Sequence, residues 1–303
     1  MRKAIALVAR GDTRRGRQML ERAVASGDPR VVPRAQANLG GLLLNLGEVE
    51  QARELLESAV ASGDDEVVPQ AQSNLGGLLL SLGDMARGRL LLEEAIASGN
   101  SEVAPIAQAL LGGLLISQGE PERAHRLLAC SAASGDPQAV PVAQANLGGL
   151  LLTEGDFEGA RPLLEMAVAS GKDHVLPMAQ VNLGIVLMHQ GETDRARRLL
   201  HSASISDNSE IAAMAQNTLG ELCLDTGDIA GAEAAYRAAI DSADPRWSST
   251  ARMDLARMLV GEGRTSDGRR LLEEASVSAV FEIASMARDL LADLPDDDRG
   301  PET

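Results

Sequence analysis

The sequence is short of aromatic residues, and this shortage excludes two classes of protein. Among 303 residues there are one Trp, one Tyr and two Phe, at Trp247, Tyr236, Phe157 and Phe281. Strands of sandwiches and barrels are rich in aromatic and β-branched side chains. Grooves for single-stranded nucleic acid use aromatic rings as stacking platforms. We therefore expect neither an all-β fold nor a nucleic-acid groove.

Positive charge is also scarce. The chain has 28 basic and 44 acidic side chains, which gives a formal net charge of −16 at pH 7. Such a surface repels phosphate backbones and anionic lipid, so nucleic acid and membranes are not expected partners. Two of the basic residues are lysines, Lys3 and Lys172, and the rest are arginines, a bias typical of a GC-rich bacterial genome.

Long hydrophobic runs and cysteine motifs are missing too. The apolar stretch that starts at Ala4 is interrupted by Arg10, which makes it too short for a secretory signal. No run of about 18 apolar residues, the length of a transmembrane helix, occurs in the sequence. Cys130 and Cys223 lack the spacing of a metal or redox motif, and we expect both to be small buried thiols. These absences predict a cytoplasmic protein.

What the sequence does contain is a repeat with a period of 36 residues. Glycine, alanine and leucine each return at this step without an insertion. The three series are Gly47, Gly83, Gly119, Gly155, Gly191, Gly227 and Gly263; Ala35, Ala71, Ala107, Ala143, Ala179, Ala215, Ala251 and Ala287; and Leu39, Leu75, Leu111, Leu147, Leu183, Leu219 and Leu255. Such regularity predicts a solenoid, in which each repeat covers the apolar face of its neighbour.

Each repeat is predicted to form two amphipathic helices. In the first full repeat, apolar residues follow a period of 3.6 over residues 33–46, and Gly47 can end that helix in the left-handed conformation. A second apolar stripe covers residues 49–60 and ends near Gly63, after which Asp64 is placed to cap the next helix. No segment alternates with a period of two, so we expect an all-α protein.

The spacing within the repeat carries a family resemblance. The first full repeat contains Gln36-x2-Leu39-Gly40-x2-Leu43 and then Ala52-x3-Leu56. This resembles the tetratricopeptide repeat, whose pattern is W-x2-L-G-x2-Y, then A-x3-F, then P. The repeat here is longer than the family's usual 34 residues, and the family's Trp, Tyr and Pro positions carry other residues. The resemblance implies a right-handed α-solenoid of about eight antiparallel helix-turn-helix repeats that binds other proteins.

The repeat covers nearly the whole chain. We expect a single solenoid domain over residues 1–294, with a shortened first helix at the start and a capping helix at the end. The tail, residues 295–303, is polar and expected to be disordered. Repeat boundaries are predicted near residues 33, 69, 105, 141, 177, 213, 249 and 285.

No motif for chemistry is present. The segment from Gly11 to Arg17 lacks the Lys and the Ser or Thr of a phosphate-binding loop. The histidines fall at four different positions of the repeat, so the fold is expected to scatter them: His125, His174, His189 and His201. We therefore expect no enzymatic activity, no cofactor and no metal site.

The first helices are the candidates for partner binding. Residues 69–82, 105–118 and 177–190 contain no Asp, Glu, Lys or Arg, although a surface helix usually has a charged face. Small and aliphatic residues there either pack tightly against the chain itself or form an apolar groove for a partner's helix or peptide. The predicted groove residues are Ala37, Gly41, Leu44, Ser73, Gly77, Leu80, Ala109, Gly113, Ile116, Ala145, Gly149, Leu152, Val181, Ile185, Met188, Glu221 and Arg257.

Two further functions stay open. Residues 1–32 carry eight basic and three acidic side chains and the remainder is strongly acidic, so copies of the chain could form a homo-oligomer that involves the N-terminal end. A regulatory repeat protein that senses a ligand is the other alternative. The main hypothesis is a non-catalytic scaffold that binds a segment of another protein.

Overall fold

The computed structural model describes residues 2–294, and all regular secondary structure in that range is α-helical. The prediction of an all-α fold is thereby confirmed, whereas the predicted tail lies outside the described residues. The helices are α1 Arg2–Ala9, α2 Thr13–Ala25, α3 Val32–Asn45, α4 Val49–Ala61, α5 Val68–Ser81, α6 Met85–Ala97, α7 Ala104–Ser117, α8 Pro121–Ala132, α9 Ala139–Thr153, α10 Phe157–Ala169, α11 Leu176–His189, α12 Thr193–Ala203, α13 Ser209–Asp225, α14 Ile229–Ile240, α15 Pro245–Gly261, α16 Thr265–Ser276 and α17 Phe281–Asp293.

The helices form hairpins that follow the repeat. We call the odd-numbered helices first helices and the even-numbered helices second helices. Gly47 ends α3 with φ +73° and Gly63 follows α4 with φ +67°, as the left-handed region requires. Asp64 does not cap α5: its carboxylate accepts from the backbone N–H of Glu66 and closes the turn that precedes the helix.

The chain divides into two compact units between Leu150 and Leu151. In the first unit, α3 packs on α4, α5 on α6 and α7 on α8, and the second helices α2, α4 and α6 each pack on the next first helix. Leu56 and Leu79 are fully buried between these helices. Gly40 permits the close approach, because a Cβ atom there would lie 2.6 Å from Leu56 Cγ.

The second unit repeats this packing from α11 to α17. Its core includes Leu183, Leu187 and Leu200, each at most 1% exposed. Tyr236, also 1% exposed, occupies the position that Leu56 has in the first full repeat, and Gly220 faces its ring. A single buried ring therefore replaces an aliphatic side chain in this unit.

Two kinds of acidic residue alternate where the second helices from α2 to α14 begin. Asp12, Asp84, Asp156 and Asp228 accept a backbone N–H of the first turn and act as N-caps. The glutamates between them instead form ion pairs with an arginine of the preceding second helix: Arg17 with Glu48, Arg89 with Glu120, and Arg161 with Glu192. The structural period is therefore two repeats at this position.

One of the two cysteines departs from expectation. Cys223 is buried, but Cys130 is exposed. The buried face of α8 consists of Ala124, Leu128 and Ser131, and Cys130 points away from it because successive helical residues are about 100° apart. Burial of a cysteine thus depends on its position around the helix.

Candidate partner-binding surface

Consecutive first helices contact one another within each unit. In the first unit, α3 contacts α5 and α5 contacts α7, and in the second unit α11, α13, α15 and α17 form the same series. Second helices pack mainly on the first helices that flank them. The first helices therefore form the inner surface of each unit, which is where the predicted groove residues were placed.

One set of predicted groove residues is buried. Ala37 and Ala109 in the first unit and Val181 in the second are 0% exposed, and Ser73 and Ala145 are 2% and 6% exposed. These side chains pack inside their units, so they have little or no surface to offer a partner. The Oγ atom of Ser73 is buried without a hydrogen-bond partner.

A second set lies against the second helix of its own repeat. Leu80 lies over Gly88 of α6, where a Cβ atom would come within 2.5 Å of Leu80 Cδ2. Leu44 is half-buried against the core of the first unit, and Met188 is half-buried against that of the second. The equivalent residues Ile116 and Leu152 are also half-buried.

A third set lies on the solvent-facing stripe. In α7 this stripe consists of Ile106, Leu110, Gly113 and Ser117, spaced to share one helical face. Ser117 is exposed and the other three are half-buried. The predicted residues on the stripe, one in each first helix from α3 to α15, are Gly41, Gly77, Gly113, Gly149, Ile185, Glu221 and Arg257.

The chain itself approaches three of the stripe glycines. A Cβ atom on Gly77 would lie 3.1 Å from Leu110 Cδ1, and one on Gly113 would lie 2.9 Å from Asn146 Nδ2. Gly41 has the same relation to Asn74, at 3.0 Å. In each case the neighbour belongs to the next first helix. Self-packing therefore accounts for these glycines without a partner.

The asparagines beside the glycines have mainly structural contacts. Asn146 donates from Nδ2 to the carbonyl oxygen of Ala109 on the preceding first helix, at 3.2 Å. Asn38 instead donates to the carbonyl oxygen of Arg34 on its own helix, at 2.7 Å. Each amide nitrogen thus uses one of its two N–H groups on a backbone carbonyl of this chain.

The first unit also carries a recess of about 730 Å³ beside the stripe. Arg34, Asn38 and Gln70 line it from α3 and α5, and Asp65 and Glu66 line it from the loop between the hairpins. Arg34 is paired with Glu66. This recess is polar, whereas Ile106, Leu110 and Val142, the next residues along the stripe in α7 and α9, are apolar.

In the second unit the structure brings Glu221 and Arg257 to the same recess. Its volume is about 510 Å³. The lining residues come from α13, α14, α15 and the residue that follows α15: Glu221, Leu224, Tyr236, Asp254, Arg257, Met258, Gly261 and Glu262. We call this cavity the acidic recess.

Hydrogen bonds connect the carboxylates of the acidic recess. Asn217 is 1% exposed and donates from Nδ2 to Glu221 Oε1 at 3.2 Å and to Asp254 Oδ2 at 3.1 Å. Arg257 Nη1 lies 3.6 Å from Asp254 Oδ1. No ion pair involving Glu221 occurs among residues 2–294.

The recess disfavours the ionised forms of its acids. Although part of the Glu221 side chain is exposed, loss of hydration and then the charges of Asp254 and Asp225 raise its pKa to about 7. Burial also raises the pKa of Asp254, against the opposing effects of Asn217 and Arg257. The pKa of the Tyr236 hydroxyl is raised by burial and by the neighbouring carboxylates.

Sequence reasoning missed Tyr236 and Asp254, which also line this site. The signal lies in the offset between first helices, because Gly41 meets Asn74 and Gly113 meets Asn146 at a separation of 33 residues. The same offset connects Glu221 with Asp254, which replaces the asparagine of the earlier repeats. Glu221 and Asp254 thus occupy the positions that Gly113 and Asn146 have in the earlier repeats.

Within residues 2–294, no group of three or more His, Cys, Asp or Glu side chains is arranged to hold a metal ion. In the same range, no helix combines the length and the apolar character needed to cross a membrane. His189 stacks on Phe157 with ring centroids 4.1 Å apart, so its contact is with an aromatic ring.

The comparisons with known proteins identify the family. A model of the tetratricopeptide repeat-like domain matches residues 131–248. A tetratricopeptide-repeat model matches residues 1–67 and 45–105. The chain belongs to the tetratricopeptide-repeat family. This confirms the resemblance that the repeat spacing carries, and proteins of this family are generally interaction scaffolds. The comparison with curated proteins found no match.

Solved structures show the same fold at low identity. The Cut9–Hcn1 hetero-tetramer of the APC/C matches with a TM-score of 0.71 and 16% identity over 96% of this chain, which spans 54% of the matched chain. A tetratricopeptide repeat protein from Parabacteroides merdae matches with a TM-score of 0.56 and 13% identity, over 91% of this chain and 98% of the matched chain. A signal transduction ATPase from Pyrococcus horikoshii with a tetratricopeptide repeat sensor matches with a TM-score of 0.62 and 15% identity. That match covers 90% of this chain and 45% of the matched chain.

Proposed function

We propose that this tetratricopeptide-repeat chain is a non-catalytic scaffold that binds a helix or peptide of another protein on the inner surface of its units. The observation that carries the proposal is the absence of charge from α5 and α7 and from the part of α9 that belongs to the first unit. Exposed helices usually carry charged side chains. A surface without them favours association with a partner's apolar side chains.

The accessible part of this surface is the apolar end of the solvent-facing stripe. Ile106, Leu110 and Val142 are half-buried, so each retains area that a partner can cover. The stripe glycines contribute a smooth backbone rather than a pocket, since their near neighbours are residues of this chain. We expect recognition by shape and aliphatic contact.

The test uses two double variants with matched chemistry. Ile106→Arg with Val142→Arg places two charges on the stripe, whereas the control, Leu90→Arg with Met166→Arg, places them on exposed positions of second helices. Partners are captured from native cells by cross-linking and identified by mass spectrometry. The stripe variant is expected to lose a set of proteins that the wild type and the control both retain, with an unchanged helical circular dichroism spectrum. Equal capture by all three folded proteins would refute the proposal.

The remaining parts of the proposal concern location and alternatives. We place the protein in a bacterial cytoplasm, in keeping with its arginine bias and acidic composition.

Self-association is the second candidate function, because Ile5 in α1 is 43% exposed and Phe281 in α17 is 76% exposed. Sedimentation over a concentration series tests it, with Phe281→Ser as the variant. A monomer at every concentration removes this candidate. We assign no binding site to the other alternative, a regulatory repeat protein that senses a ligand.

A further inference from the structure

The acidic recess of the second unit has an excess of negative charge. Glu221, Asp254 and Glu262 line it, and Asp225 lies close enough to raise the pKa of Glu221. Arg257 is the cation among the lining residues, and it already pairs with Asp254. Elsewhere in the chain, as at Glu120 and Glu192, carboxylates at the joints between repeats are matched by arginines.

The recess also has an excess of hydrogen-bond acceptors. The buried amide of Asn217 is directed at the two carboxylates, and its Oδ1 atom has no hydrogen-bond partner. A buried acceptor without a donor is unfavourable. Rotating the amide would bring its oxygen to the carboxylates and remove the N–H donor that they share. The donors that line the recess are then the Tyr236 hydroxyl and the guanidinium of Arg257, against the carboxylate oxygens of Glu221, Asp254 and Glu262.

Apolar surface lies beside these acceptors. Leu224 is 37% exposed, and Met258 and the ring of Tyr236 also line the recess. An arginine side chain combines an apolar stem with a planar head of five N–H donors and no acceptor. The head can bind a carboxylate with two parallel hydrogen bonds.

We propose that the acidic recess binds an arginine side chain of the partner, with its guanidinium between Glu221 and Asp254 and its stem against Leu224 and Met258. This inference rests on the proposed function, because it names one anchor within the partner segment. Arginine is favoured over a metal ion because the described residues contain no group of metal-ligating side chains. It is favoured over lysine because the acceptors occupy two helices, which a planar fork can bridge.

The chain offers a specific probe for this site, because Tyr236 is its single tyrosine and lines the recess. Protein labelled with ¹³C in the tyrosine ring gives NMR signals from Tyr236 alone. We would titrate it with N-acetylarginine amide and, in parallel, with N-acetylcitrulline amide at constant ionic strength. The citrulline derivative has nearly the same shape without the charge. The measurement is made at about pH 8, above the pKa of about 7 of Glu221.

We expect a saturable shift of the Tyr236 signals with the arginine derivative, at a concentration at least about tenfold lower than with the citrulline derivative. The nearly isosteric double variant Glu221→Gln with Asp254→Asn is expected to remove this preference. The control Glu122→Gln, at an exposed position of α8 in the first unit, is expected to retain it. Retention of the native Tyr236 signals in the free double variant shows that the recess is folded.

Three results would overturn the inference: equal shifts with the two probes, no shift with either, or an undiminished preference in the folded double variant. The proposed function fails separately. A scaffold that holds its partner by the stripe alone would lose capture with the Ile106 and Val142 variants but show no preference for the arginine probe. Conversely, the arginine probe could be preferred although no captured partner depends on the stripe. In that case the recess binds a cation, and the proposed scaffold function fails.

Discussion

Glu233 and Arg264 form the same ion pair as Arg161 and Glu192, with the two charges exchanged. Arg161 Nη1 lies 2.6 Å from Glu192 Oε1, and Arg264 Nη1 lies 3.0 Å from Glu233 Oε2. The exchange extends to two further pairs of the cluster. Glu165 and Arg195 of the earlier cluster are replaced by Arg237 and Asp267, which pair with the reversed partners. The joint between repeats thus requires opposite charges rather than particular residues.

This relationship predicts how the corresponding cluster in the first unit tolerates reversal. Glu120→Arg alone places a third cation beside Arg89 and Arg123 and is expected to lower the free energy of unfolding. The full reversal Arg89→Glu, Glu93→Arg, Glu120→Arg and Arg123→Asp restores every attraction. We expect its unfolding midpoint in urea to lie closer to that of the wild type than the midpoint of the single variant does. A full reversal no more stable than the single variant would contradict this account.

The N-cap of α10 gives a second prediction. Asp156 Oδ1 accepts the backbone N–H of Gly159 at 2.9 Å. Asp156→Ala removes the acceptor and is expected to lower the free energy of unfolding by about 1 kcal/mol. Asp156→Asn keeps an acceptor at the same place and serves as the control, with a much smaller loss. Chemical denaturation followed by circular dichroism measures both, and equal losses would argue against a capping role.

The glycines inside helices differ in the space around them. A Cβ atom on Gly112 would lie 2.6 Å from Leu128 Cγ, so Gly112→Ala is expected to destabilise the protein by about 1–3 kcal/mol. Gly261, at the end of α15, has no neighbour within 4 Å of such an atom. Gly261→Ala is therefore expected to be neutral or to stabilise by up to about 1 kcal/mol. Thermal unfolding of the two variants compares them. A stable Gly112→Ala protein would mean that Leu128 can move.

The pKa of Glu221 predicts a dependence of stability on pH. Folding raises this pKa from its ordinary value of 4.5 to about 7, so the folded state binds the proton more tightly than the unfolded state. Stability from this group is present below pH 4.5 and is lost as pH rises through 7. The facing groups are Asp225 on α13, Tyr236 on α14, and Asp254, Arg257 and Glu262 on or next to α15.

Glu221→Gln isolates this contribution. We expect the variant to gain stability relative to the wild type as pH rises from 5 to 8, because glutamine stays neutral while Glu221 ionises. Urea unfolding at each pH measures the difference between the two proteins. Asp254 shifts in the same direction, so Glu221→Gln with Asp254→Asn should show a larger change. A difference that stays constant over this range would show that Glu221 titrates normally.

Much of the fold could be read from local sequence. The series of Gly47, Ala35 and Leu39 predicts helix lengths and hairpins, and α3 begins and ends within one residue of the predicted 33–46. Helix ends are set by nearby residues, such as a proline in the first turn or a glycine in the left-handed region. The candidate surface was harder to predict. Ala37 and Gly41 share the small size expected of a groove, but Ala37 is fully buried.

The sequence by itself determined the repeat, the all-α architecture, the family and the uncharged first helices. These follow from spacings within one repeat, which local backbone geometry and nearest-neighbour packing convert directly into structure. Only the tertiary structure decided that the next first helix covers the glycines at Gly77 and Gly113, and that Glu221 faces Asp254 across α13 and α15. The reason is that these contacts depend on the rotation of one helix against the next, which a period of 36 residues does not specify.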